Sequence, residues 1–174
     1  MRYSSQDFEG ISVRGRVAFS IHCLLKAIQD KGNLHKEEFY LLFEALKSYS
    51  SLELVDDWLY RTAEYIPGTL VATKDYSDED FEFLDKHGFH ELKKLYSKLD
   101  REVLLIIDTI FEMGTIELYG ALSPPGRESL RCIDVLFGLL KKMEVEPVSI
   151  EPFRRFTYFS HDGYGGKFEM VLDY

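Results

Sequence analysis

"SVRGRVAFSIHCLLKAIQD", residues 12 to 30, decides the fold class. Val13, Val17, Ser20, Ile21, Leu24 and Ile28 recur at three- and four-residue spacing, the period of one helix face, and Gly32-Asn33 ends the run. Working outward, a second helix is expected over residues 35–48. A third begins near Leu52 and carries Val55, Trp58, Leu59 and Ala63 until Pro67-Gly68 stops it. Ser77, followed three residues later by Asp80 and then by Phe81, Phe83 and Leu84, fits a helix-start pattern with Asp in place of Glu. It predicts a fourth helix, with Gly88 as a point of interruption. Asp100 caps a fifth through Val103, Ile107, Ile110, Phe111 and Leu118, and Pro124-Pro125-Gly126 separates it from a sixth ending near Glu144. Six helices joined by short breaks predict a mainly α, compact multi-helix bundle.

The tail changes period. Phe156 and Tyr158 alternate with Thr157 and Phe159, and Phe168, Met170, Leu172 and Tyr174 alternate with Lys167, Glu169, Val171 and Asp173. Residues 153–174 are therefore expected to form a small C-terminal β-hairpin turning at "HDGYGG", where glycines admit positive φ angles. No internal repeat, low-complexity tract or long linker divides the chain, so residues 1–174 are expected to be a single helical domain.

With 174 residues, 45% of them hydrophobic, the chain can bury one sizeable core. Its longest aliphatic run, Val103 to Ile107, falls far short of the roughly 20 apolar residues of a membrane-spanning helix. Asp7 and Glu9 stand where a secretory signal would place its apolar stretch, so a cytoplasmic location is expected. The formal charge of −9 opposes phosphate backbones and suits a basic protein partner better than nucleic acid. Cys23 and Cys132 form no CxxC pair and no disulfide framework.

The motifs of catalysis and metal binding are incomplete. "HDGYGGKF" contains Gly166-Lys167, but a phosphate loop needs a glycine where His161 stands and Ser or Thr where Phe168 stands. His87 and His90 are three apart near Asp85 and Glu91, without the second cluster that would complete a metal shell. His22 falls on the polar side of the first helix and reads as a solvated histidine. Cys23 adjoins it, yet neighbours on a helix point about 100° apart. Cys132 lies in an apolar helix, where a thiol acts as a small hydrophobe. No G-x-S-x-G elbow is present. No catalytic residue, metal ligand or cofactor is assigned.

Carboxylates carry the remaining signal. On the fifth helix Asp108 and Glu112 share the side opposite the apolar face at four-residue spacing, together with Leu105, Ile116 and Tyr119. That strip is either a helix face covered by a neighbour or a surface for a partner. A second concentration, "KDYSDEDFEFLD" over 74–85, interleaves Asp75, Asp78, Glu79, Asp80, Glu82 and Asp85 with Tyr76, Phe81 and Phe83. Part of that run suits a helix N-terminus, where the dipole is positive. Acids beside aromatics also fit a partner rich in Arg and Lys, with rings anchoring and carboxylates steering. Asp56 and Asp57 beside Trp58 repeat the pairing.

With "SVRGRVAFSIHCLLKAI" on the first helix and "TIELYGAL" closing the fifth, the chain resembles small acidic bacterial immunity proteins of the contact-dependent inhibition or polymorphic-toxin type. The resemblance implies a cognate toxin domain, often a nuclease, that is bound and blocked in the producing cell. A basic nuclease offers a cationic cleft, and carboxylates compete for it without catalytic machinery. The partner-binding candidates are Asp78, Glu79, Asp80, Asp108, Glu112 and Tyr119. The competing expectations are a small helical enzyme or metal-binding protein using Asp108, Glu112 and the His87/His90 pair, and a regulatory adaptor for a basic host protein.

Overall fold

In the computed structural model, which describes residues 2–32, 36–118 and 124–172, the period of residues 12–30 becomes α1 (Val13–Asp30). The Ser12 side chain opens it by accepting the Gly15 amide at 3.3 Å. There follow α2 (Lys36–Ser51), α3 (Val55–Thr62), α4 (Pro67–Ala72), α5 (Lys86–Lys98), α6 (Arg101–Thr115) and α7 (Arg127–Lys142). Among the described residues the fold is mainly helical, and six of these helices have eight residues or more.

α6 is the centre of the packing. Val103, Ile106, Ile107, Ile110, Phe111 and Met113 are all buried, and the helix touches α1, α2, α3, α4 and α7. A helix apolar around most of its circumference can only be satisfied inside a bundle. Each of its fully buried isoleucines contributes on the order of 1.5–3 kcal/mol of transfer free energy.

Trp58 joins α3 to this centre. Its ring is fully buried, stacks on Phe111 at 5.4 Å and meets Tyr49 edge-on at 4.8 Å, while Nε1 donates to the Ala45 carbonyl at 2.9 Å. Asp56 and Asp57 beside it are exposed, so the tryptophan anchors the core and not a partner. Gly114 makes room for the ring: a Cβ there would lie 2.7 Å from Trp58 Cζ3 and 3.1 Å from Tyr49 Cε2. Gly114→Ala is expected to destabilise by about 1 kcal/mol net, overpacking outweighing the better helix propensity of alanine. A urea midpoint equal to or above that of the parent would contradict the contact.

Two arginines at the start of α1 face inward. Two positions apart on a helix, Arg14 and Arg16 leave the axis about 200° apart and serve different neighbours. Arg14 donates to the carbonyls of Tyr49 and of Leu52, the latter at 2.9 Å, satisfying the C-terminal end of α2. Arg16 donates from Nε and Nη2 to Phe8 O at 3.3 and 3.0 Å, from Nη2 to Pro125 O at 2.6 Å, and from Nη1 to Gly126 O and Ser129 Oγ at 2.9 and 2.6 Å. Burial pushes its guanidinium down to about 10, which leaves it charged at neutral pH. Glu117, also buried, accepts the Ser129 amide at 3.0 Å, so α7 begins on a carboxylate where its dipole favours one.

The third helix does end before Pro67-Gly68, through a 3-10 turn over Ala63–Tyr65 and an extended Ile66, and Pro67 then opens the separate helix α4 in its first turn, where its missing N–H costs nothing. Two expectations are corrected. The start pattern at Ser77 makes only one turn, with the Asp80 amide donating to Ser77 O at 3.1 Å, and the fourth long helix begins at Lys86 behind an Asp85 cap that accepts the Gly88 amide at 2.7 Å. The amides of residues 82–84 are taken by the Glu64 carboxylate and are not available to a helix ladder.

The second correction is the hairpin. The described residues contain no strand, only an isolated antiparallel bridge between Ile11 and Thr157. The first arm pairs with the N-terminal segment instead of the second arm: Ser12 N donates to Phe156 O at 2.8 Å and Tyr158 N to Gly10 O at 2.9 Å. The second arm lies against α2, Phe168 N donating to Ser50 O at 3.0 Å. The arms meet through rings, Phe156 stacking on Phe168 at 4.0 Å, so the alternation reports burial without a ladder. Gly165 belongs to this arrangement, with φ +83° and a backbone so close to Ser12 that a Cβ would lie 2.3 Å from its Oγ. Asp173 and Tyr174 lie outside the described residues.

Candidate functional site

The acidic stretches around α3 and over 74–85 fold into one face. Tyr60, at the middle of α3, donates its hydroxyl to Glu82 at 2.5 Å and packs edge-on against Phe83 at 5.0 Å. Glu64, one turn further on, accepts the amides of Glu82, Phe83 and Leu84 at 2.7, 3.0 and 2.8 Å. Three amides on one carboxylate fix the course of a segment that has no regular structure of its own. Residues 55–85 hold nine carboxylates against Arg61 and Lys74, so seven of the chain's nine excess negative charges fall in this span. Eight of those nine acids are exposed; Glu64 is the half-buried one.

Of the aromatics interleaved with these acids, Phe81 turns inward. It is buried, stacks on Tyr76 at 5.5 Å and meets Phe89 at 5.1 Å. The Asp78 carboxylate pushes the Tyr76 phenol up, and Glu82 does the same to Tyr60. Leu54, Tyr60 and Val71, in the same stretch of chain, are apolar side chains more than half accessible. Neither Tyr60 nor Glu64 was singled out by the sequence. Their importance depends on partners some twenty residues away, the Glu82 carboxylate for Tyr60 and three backbone amides for Glu64, which no local pattern encodes.

The candidate contact residues divide. Asp78, Glu79 and Asp80 are exposed together on the turn of this face. Glu112 is exposed on α6 and adds to the rise that burial causes in the Cys132 thiol across the α6–α7 packing. Asp108, on the same helix side, is half-buried beneath the first turn of α4, where burial raises its carboxyl and the Gly68 amide offsets only part of that rise. The two carboxylates therefore serve different neighbours. Tyr119 lies outside the described residues.

Asp108 also carries strain of an electrostatic kind. Its Oδ1 is buried without a hydrogen-bond partner, and burial raises the carboxyl above its ordinary range despite the Gly68 amide. A raised carboxyl binds its proton more tightly when folded, so stability from this group is greatest in acid and declines as pH rises through the folded pKa. Asp108→Asn is expected to raise the melting temperature at neutral pH by about 2 °C, after discounting for solvent screening, and to flatten the acid-side slope. A lower melting temperature for the variant at pH 7 would show that the charge is stabilising.

His87 and His90 are both exposed, and the described residues contain no group of three or more His, Cys, Asp or Glu side chains placed to hold a metal ion. Cys23 and Cys132 are buried, and burial pushes both thiols up to about 12. His22 is half-buried, edge-on to Phe153 at 5.4 Å, and lines a cavity of about 330 Å³ between α1 and the tail. No described helix is long and apolar enough to cross a membrane. Comparison of the chain with protein-family models, with curated proteins and with solved structures finds no match.

Proposed function

We propose that the protein is an immunity protein of the contact-dependent inhibition or polymorphic-toxin type, binding a basic, nuclease-type toxin domain through the face built by α3 and residues 74–85. The observation that carries this reading is the concentration of charge: nine carboxylates against two cations on a span cross-tied by Tyr60 and Glu64. Carboxylates gathered in one place steer a cationic partner and raise its association rate. A segment already held by three hydrogen bonds loses little further entropy when it docks. Leu54, Tyr60 and Val71 supply the apolar contact that charge alone does not give.

Asp78, Glu79 and Asp80 lead the electrostatic approach in this reading, and Asp56, Asp57 and Glu82 extend it. Asp108 and Glu112 contribute at most from the margin, since Asp108 is committed to α4. The reading is tested by expressing basic nuclease-type toxin domains, beginning with any encoded beside this chain's gene, with and without this protein, and then mixing the purified pair. Growth rescue with tight one-to-one binding supports neutralisation; absence of both sinks the assignment.

A further inference from the structure

A cavity of about 330 Å³ opens between α1 and the C-terminal segment, and it shares no residue with the acidic face. Val148, Phe153, Phe168 and Met170 give it an apolar lining, and Phe153 and Met170 belong to the buried core. Arg155 and Glu169 line the same cavity and are exposed. Arg155 lies over the Phe156 ring at 4.8 Å, and neither charged group has an ion-pair partner among the described residues, including each other.

We propose that this cavity binds a free aromatic α-amino acid. Its volume is at the lower end of small-molecule pockets and suits one large side chain. Aromatic rings in the lining favour an aromatic guest, through edge-to-face or offset contacts. The cation takes the ligand's carboxylate, in the fork geometry that guanidinium offers, and Glu169 takes its ammonium. An α-ammonium and an α-carboxylate on one residue exist together only in the free amino acid. The interior of a peptide carries neither, which favours the free ligand over a docked segment.

The test is calorimetric titration of the full chain with L-phenylalanine and L-tryptophan. Saturable one-to-one binding is expected, and Arg155→Gln and Glu169→Gln should each weaken it about tenfold, the effect of losing one charge-assisted hydrogen bond. Both side chains are exposed, so the melting temperatures of the unliganded variants should match the parent. N-acetyl-phenylalanine and phenylalanine amide, each lacking one charge, should bind correspondingly less tightly. No saturable binding at millimolar concentration overturns the proposal, as does binding that ignores both substitutions. A doubly capped phenylalanine that binds as tightly as the free one also overturns it, and points to a peptide segment.

Discussion

Arg16→Ala is expected to be the most destabilising single substitution in the N-terminal half of α1. The side chain is fully buried and supplies donors to the carbonyls of Phe8, Pro125 and Gly126 and to the Ser129 hydroxyl. Truncation leaves several buried acceptors unpaired and opens a cavity, an effect on the order of 3–5 kcal/mol. In a domain of this size that lowers the melting temperature by roughly 6–20 °C. Arg16→Lys keeps the charge but cannot reproduce the fork of donors, so it should fall between parent and alanine. A melting temperature for the alanine variant within about 2 °C of the parent would mean that these bonds add no net stability.

The second large effect concerns binding. Reversing Asp78, Glu79 and Asp80 together to lysine removes three carboxylates and adds three cations on one exposed turn. Association with a basic toxin domain should slow by about tenfold or more at low salt, and the difference should shrink as salt screens the field. The turn is exposed and the tie it loses is the Asp78–Tyr76 hydrogen bond, so stability should fall by no more than about 1 kcal/mol. Stopped-flow association at two ionic strengths reads the effect. An unchanged rate at both would remove this turn from the approach path.

Much of the helical plan is legible in the sequence, because α1, α2, α6 and α7 carry their own period and their own stops. Residues 12–30, 100–118 and 127–144 are read from side chains within one turn of each other, and those are the contacts that form. The tail is a different case. Phe156, Phe168 and Met170 alternate as a strand would, but what their backbones bond to lies at residues 10–12 and at Ser50, beyond the reach of a local pattern. The same holds for the segment after Ser77, where a long-range carboxylate, Glu64, competes with the helix for its amides.

The candidate site was legible in part for a related reason. Composition alone marks Asp78, Glu79 and Asp80, and exposure follows from charge. It does not reveal that Trp58 and Phe81 turn inward, or that Asp108 is covered by α4 while Glu112 is not. Arginine is ordinarily a surface residue, so nothing in "VRGRV" announces two buried guanidinium groups. They are placed by carbonyls that the chain brings together only on folding.

In the proposed complex one face, α3 with residues 74–85, meets the toxin domain. Amide hydrogen exchange of the protein alone and saturated with the purified domain tests it most directly. Added protection is expected in α3 and residues 74–85, with the α1–tail cavity unchanged. Protection confined to α7 or to the C-terminal segment, with 54–85 exchanging as in the free protein, would contradict it.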